Sequence, residues 1–246
     1  MIFYVGLHKP WHAAVLPRAF MSVNVLRRRR KPVACRDVIV DSGAFTELAQ
    51  YGRYRHSVAA YAADLRRLAS VVTITAAVAQ DYMCEPFMLA KTGLTLADHQ
   101  RLTIERYDEL LAEGLPFPIL PVLQGYEPAD YVRHVDAYGD RLGPGQWVGV
   151  GSVCKRNGHP RQVLAVLEAI ARRRPDLRLH GFGIKKTALE HEGVRALLFS
   201  ADSLAWSYSA RRQGRNQNAA AEAVAYGAAV DAILARASQP WQPSLL

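Results

Sequence analysis

Eight short apolar runs, most of them rich in β-branched residues, recur along the chain with longer amphipathic segments between them. They are Ile2 to Val5, Phe20 to Leu26, Val38 to Val40, Val71 to Ala79, Pro118 to Leu123, Trp147 to Val150, Leu177 to Phe182 and Ala196 to Ser200. Runs of this length without polar alternation predict strands buried on both faces. The segments between them carry helix punctuation. Ser57 opens Val58 to Ala69, and Thr95 with Asp98 makes a capping-box pattern before Gln100 to Ala112, which stops at Gly114. Pro128 starts Ala129 to Tyr138, and Pro160 starts Arg161 to Arg173. Strand and helix alternate, so parallel pairing with right-handed crossovers is the economical arrangement. Eight such units in 246 residues predict an α/β fold, a TIM-like (β/α)8 barrel formed as a single domain over residues 1–246, rather than an open doubly wound sheet. An Ala-rich helix over 219–237 closes the chain.

In such a barrel the chemistry is built at the carboxyl ends of the strands while the strand bodies pack, so the residues after each run are the functional candidates. The first run leads into Gly6 and His8, the third into Asp41, Ser42 and Gly43, and the fourth into Gln80 and Asp81. The fifth leads into Gln124 and Gly125, and the sixth ends in Gly149, Val150, Gly151 and Ser152. The seventh reaches Gly181, Phe182, Gly183 and Lys185, and the eighth Asp202 and Ser203. Three acids, an amide and several glycines at one mouth fit proton transfer and nucleophilic attack on a substrate that backbone approaches closely. Each acid taken alone reads equally as a helix N-cap after a βα turn.

Charge suggests the partner. The chain carries 31 Lys and Arg against 22 Asp and Glu, a net charge of +9, which favours a polyanion. Arginines cluster at 27–30, at 172–174 and at 211, 212 and 215, where phosphates could sit; a solvated basic surface is the other reading. The interleaved Tyr51, Arg53, Tyr54 and Arg55 suit either stacking on an unpaired base or plain loop packing. Cys35, Cys84 and Cys154 are odd in number and far apart, which implies no disulfide framework and a reducing compartment. The longest apolar stretch, Val71 to Ala79, is about half a membrane span. His8, Lys9 and Pro10 interrupt what would be an apolar leader. The expected protein is soluble, cytoplasmic and not associated with membranes.

Six blocks then carry a resemblance. Asp41-Ser42-Gly43-Ala44-Phe45, Gln80-Asp81, Val122-Leu123-Gln124-Gly125, Gly149-Val150-Gly151-Ser152, His180-Gly181-Phe182-Gly183 and Asp202-Ser203 followed by Arg211-Arg212 resemble, in order and spacing, the signature blocks of the tRNA-guanine transglycosylase superfamily. The match spans roughly Asp41 to Arg215. Tyr4 to Trp11, Cys84-Glu85-Pro86, Gly151-Ser152-Val153-Cys154 and Ala205-Trp206-Ser207-Tyr208 look more like the short, phage-type 7-deazaguanine DNA transglycosylases. One departure stands out. The tRNA enzymes carry a CxCxxC-plus-His zinc site after the nucleophile strand, and nothing after Arg215 is Cys or His.

The resemblance implies a DNA-guanine transglycosylase that exchanges guanine for a 7-deazaguanine base such as preQ0 through a covalent aspartyl–sugar intermediate, with the free base as co-substrate and no cofactor or metal. Asp202 matches the nucleophile and Asp41 the general acid/base. Asp81 and Gln124 match base-reading positions, with Ser42, Gly43, Phe45, Gly125, Gly149, Gly151, Ser152 and Gly183 around the base. Lys185, Tyr208, Arg211, Arg212 and Arg215 would meet the nucleic acid. The target nucleotide has to be extruded, because C1′ and the base edge are closed within a duplex. A tRNA-guanine transglycosylase and a non-catalytic barrel that binds nucleic acid or a free base are the alternatives. Two others are a lyase or aldolase barrel using Lys185, and a metal site of Cys84 and Cys154 with His8 or His180. The resemblance leaves the oligomeric state open.

Overall fold

The computed structural model describes residues 1–236. Its strands are β1 (Ile2–Gly6), β2 (Ala19–Ser22), β3 (Val38–Asp41), β4 (Ile74–Val78), β5 (Ile119–Leu120), β6 (Val122–Leu123), β7 (Trp147–Val150), β8 (Arg178–Gly181) and β9 (Leu198–Ser203). All pair in parallel, in the order β5-β4-β3-β2-β1-β9-β8-β7-β6. The two edges of that order are consecutive pieces of one run, parted by Pro121, which has no N–H for the ladder. The expected fifth strand is therefore two dipeptides with a proline between them. The Pro121 carbonyl still accepts from Gly149 N–H at 2.8 Å. One stretch of chain thus faces β4 on one side and β7 on the other, and the sheet shuts into an eight-membered α/β barrel.

Elsewhere three of the expected strands are trimmed or shifted for local reasons. The run Phe20 to Leu26 is a strand only to Ser22, whose hydroxyl accepts from Asn24 N–H and caps the short helix α1 (Val23–Leu26). Val71 and Val72 donate back to the Leu68 carbonyl, so β4 begins at Ile74. β9 extends to Ser203, which puts Asp202 inside the strand rather than after it. The other helices are α2 (Ala44–Tyr51), α3 (Val58–Leu68), α4 (Pro86–Thr92), α5 (Leu96–Ala112), α6 (Pro128–Tyr138), α7 (Pro160–Arg173), α8 (Lys186–Leu189), α9 (Glu192–Leu197), α10 (Ala205–Arg212) and α11 (Ala220–Leu234). In α5 both halves of the Thr95–Asp98 capping box form, so the helix starts at Leu96. The terminal Ala-rich helix ends at Leu234, and residue 237 lies outside the described residues.

The strand period of two sorts the residues. Val38 and Val40 point outward into a large core under the helices, while Tyr4, Ile39, Ala76, Val78, Leu120 and Val122 fill the barrel. Continuing along the inward face two residues at a time, Ile39 is followed by Asp41, Val122 by Gln124, His180 by Phe182 and Ser200 by Asp202. The same alternation that builds the plug delivers Asp41, Gln124 and Asp202, with the Phe182 ring, to its top. No described helix is long and apolar enough to cross a membrane.

Candidate active site

A cavity of about 340 Å³ opens on the plug at the carboxyl ends of the strands, and Asp41, Asp81, Gln124, Gly151, Ser152, Gly183 and Asp202 line it together with Phe20, Phe45 and Phe182. The volume suits one heterocyclic base and part of its sugar. Asp41 ends β3, and its Oδ2 accepts from Gly43 N–H at 3.0 Å. Gly43 has a φ of +79°, and a Cβ there would meet the Asn24 side chain. Burial, together with the facing charge of Asp202, pushes the Asp41 carboxyl up to about 6.

Asp202 is buried and held through Oδ1, which accepts from Gly183 N–H at 3.0 Å and lies 3.3 Å from His180 Nε2. The rest of the chain fixes the tautomer. Trp147 Nε1–H donates to Ser200 Oγ at 2.8 Å, and Ser200 Oγ lies 2.9 Å from His180 Nδ1. Trp147 is donor-only, so Ser200 Oγ accepts from it and keeps its own proton free for Nδ1, an arrangement in which His180 offers Nε2–H to the carboxylate. The ring is stacked on Phe20 at 5.7 Å and edged by Phe182 at 4.9 Å. His180 appears in the sequence as part of a motif and as a candidate metal ligand, but not as a partner of Asp202; Ser200, 20 residues on, gives no local signal of that pairing.

Asp81 follows β4 and is buried, pushed up to about 7 by desolvation and by the neighbouring Asp41 charge. Its Oδ1 accepts from Ser42 Oγ at 3.4 Å, and Gln124 Nε2 makes a short bond to Oδ2. Gln124 Oε1 is 2.7 Å from Ser152 Oγ. Gly151 sits where a Cβ would collide with that amide. Gly125 and Gly149 have different work: a Cβ on Gly125 would meet Asp130 and Tyr131, and one on Gly149 would meet the Phe182 ring, so both serve packing behind the cavity wall. Gln80 turns away from Asp81 and accepts from Arg106 at 2.7 Å.

Around the mouth, exposed rings meet cations. Lys155 Nζ lies 5.6 Å from the Phe45 ring and 5.9 Å from that of Phe87. Arg156 covers Tyr126 and Arg211 lies over Tyr208. Phe87, Lys155 and Arg156 lie just past the Cys84-Glu85-Pro86 and Gly151-Ser152-Val153-Cys154 blocks and are not among the residues that the sequence singles out. Lys185, Tyr208 and Arg212, with Lys186 and Tyr226, line a second groove of about 350 Å³ beside β9. Asn157 pins its edge, donating to Gly183 O at 3.0 Å and accepting from Lys185 N–H at 2.7 Å. Arg215 is turned toward Glu222 and pairs with it.

Two of the three arginine clusters lie elsewhere. Arg172, Arg173 and Arg174 pair with Glu168, Asp136 and Asp176 at the start of β8, the end of the barrel remote from the cavity. Arg27 pairs with Asp64, and the carbonyls of Arg27 and Arg29 accept from Arg67 in the last turn of α3. Packing also claims the Tyr51 to Arg55 segment: Tyr54 is buried with its hydroxyl on Asp81 O at 2.8 Å, and Arg55 is paired with Glu47 over the Tyr51 ring. Cys84 and Cys154 flank the site as thiols, since burial raises the first far above the usual range and the second to about 11. Among the described residues no three His, Cys, Asp or Glu side chains converge on a metal position, and the zinc ligands of the tRNA enzymes have no counterpart after Asp202. The residues present do not fit that ion.

A family model described as DpdA, deoxypurine in DNA protein A, matches residues 1–234. The chain belongs to the DpdA family. This is a 7-deazaguanine DNA transglycosylase family related to tRNA-guanine transglycosylase, which agrees with the superfamily resemblance read from the six blocks. No curated protein matches the chain. A DpdA barrel is thus a transglycosylase of 7-deazaguanine DNA modification, and three acids line the cavity at its mouth.

Proposed function

We propose that the protein removes guanine from DNA and installs a free 7-deazaguanine such as preQ0 by a retaining double displacement on Asp202. The observation that carries this reading is the convergence of Asp41, Asp81, Asp202 and Gln124 on one cavity of about 340 Å³. Both contacts that hold Asp202 fall on Oδ1, which leaves Oδ2 to attack C1′. As the Oδ2–C1′ bond forms, the C1′–N9 bond breaks and Asp41 delivers its proton to the departing guanine. The incoming base then attacks C1′ through N9, its proton passes to Asp41, and the Asp202 carboxylate leaves. A carboxyl lifted to about 6 can serve as acid in one half and base in the other near neutral pH.

Asp81 reads the base edge, accepting from N1–H and the exocyclic amine, with Gln124 beside it. Gly151, Ser152, Ser42 and Gly43 shape the floor, and Phe45 borders the opening. The extruded strand runs over the groove of Lys185, Tyr208 and Arg212, with Arg211 at its edge, where cations meet phosphates and a ring meets an unpaired base. Arg215, tied to Glu222, contributes to the positive field rather than to a contact. No cofactor enters these steps. The test is incubation with DNA, and separately with tRNA, plus preQ0, followed by mass spectrometry of the nucleosides. Incorporation into DNA is the expected result, whereas incorporation confined to tRNA, or none into either, overturns the reading.

A further inference from the structure

Glu85 lies in the loop between β4 and α4 and is almost wholly buried, at 2 % exposure. It does not line the cavity, and nothing in the exchange chemistry above uses it. Its Oε2 is 2.9 Å from Ser152 Oγ, and its Oε1 is buried with no partner in the protein. Ser152 has a φ of +56°, the one non-glycine residue with positive φ among those described. That conformation costs about 1 kcal/mol or more, and the hydroxyl it presents is crowded. Cys84 N–H donates to Oγ at 3.0 Å, Gln124 Oε1 stands at 2.7 Å and Glu85 Oε2 at 2.9 Å.

A serine hydroxyl has one proton. If Ser152 donates to Gln124, Glu85 must bring a proton of its own; if Ser152 donates to Glu85, the oxygens of Ser152 and Gln124 meet at 2.7 Å with nothing between them. Gln124 continues the line through Nε2 to Asp81. Two buried carboxyls therefore terminate one chain, Glu85 to Ser152 to Gln124 to Asp81, and every link is satisfied when a single proton resides at one end. With the proton at Asp81, the amide has to turn over, and the base would meet an acid with its acceptor capacity reduced. With the proton at Glu85, Asp81 stays a carboxylate. The orphaned Oε1 agrees with the second arrangement, because a buried charged oxygen without a partner is far more costly than a neutral one.

We propose that Glu85 is a positioning residue that holds this proton as a neutral acid, and through Ser152 fixes the Gln124 amide so that Asp81 faces the base as a charged acceptor. The inference rests on Asp81 reading the base, as proposed above. Burial raises both carboxyls of the relay, Glu85 and Asp81, so what places the proton at the Glu85 end is the orphaned Oε1.

The experiment measures base exchange on DNA and, separately, calorimetric binding of the free 7-deazaguanine base to wild type, Glu85→Gln, Glu85→Ala and Ser152→Ala, with thermal melting to confirm that each is folded. A glutamine amide donates to Ser152 Oγ as the neutral acid does. Glu85→Gln is thus expected to keep base Kd and KM within about threefold, while Glu85→Ala and Ser152→Ala raise both by about tenfold or more with kcat changed far less. Glu85→Gln as impaired as Glu85→Ala overturns the neutral-donor role, and wild-type base affinity in Glu85→Ala together with Ser152→Ala overturns the relay. Should Glu85→Ala fail to fold, Glu85→Gln and Ser152→Ala decide between these outcomes. Absence of exchange in the wild type counts against the functional reading instead, since base binding remains measurable without it.

Discussion

Asp202 and Asp41 are both carboxylates, and their surroundings separate their tasks. Asp202 is gripped by a backbone N–H and by a histidine held through Ser200 and Trp147, a rigid setting that suits the proposed attack on C1′ at one angle. Asp202→Asn keeps the shape but not the nucleophilicity, so exchange should fall by several orders of magnitude while DNA binding, measured by fluorescence anisotropy, is retained. His180→Ala removes a hydrogen bond to a charged oxygen, a loss of about 1.5–3 kcal/mol, and should lower kcat by about 10- to 100-fold with DNA affinity unchanged. In the proposed exchange Asp41 must be protonated to release guanine. In single turnover without an incoming base, formation of the Asp202–sugar bond is expected to decline about tenfold per pH unit above about 6 and to level off below it. A rate that climbs as pH is raised through that range would exclude Asp41 as the acid.

Strand runs are legible in sequence because a barrel buries both faces of each strand, and the ends bearing Asp41 and Asp202 are legible because period-two alternation carries on past them; after β4 that alternation breaks, and Asp81 rather than Gln80 lines the cavity. What the sequence hides is where backbone hydrogen bonds stop. Val71 and Val72 look like strand but complete the turn after α3, and Pro121 looks like strand interior but interrupts it. Tertiary pairing also decides what the side chains do: Tyr54 and Arg55 read equally as a stacking or a packed loop, and Asp81 O and Glu47 settle them as packing. Glycines divide the same way. Gly151 clears the Gln124 amide at the cavity, whereas Gly149, two residues earlier, clears the Phe182 ring beneath it. Gly149→Ala should therefore behave as overpacking of the barrel, lowering stability in urea by about 1–3 kcal/mol. It should also impair exchange through displacement of Phe182 against His180.

Charge is spread over the whole molecule, and ion pairing treats its clusters differently. The arginines at 172–174 are neutralised at the start of β8, whereas Arg211 and Arg212 sit past β9 beside the groove of Lys185 and Tyr208. Arg211→Ala with Arg212→Ala should weaken DNA binding for every sequence and shallow the dependence of log Kd on log salt by about one to two, while Arg172→Ala with Arg173→Ala leaves that slope unaltered. Equal slopes in the two pairs would remove the β9 end from the interface. The barrel's closure also has a temporal side. Tyr4 pairs with Asp202 in register, and β1 finds its second neighbour only in β9. The contact of longest sequence separation in the sheet is thus the one that brings the nucleophile to its place, and contacts of that kind form late. A chain still emerging from the ribosome, or one caught with its sheet ajar, holds Asp41 and Asp81 but not Asp202 in place, so under the proposed mechanism the ability to cut a glycosidic bond arrives only when β9 has docked.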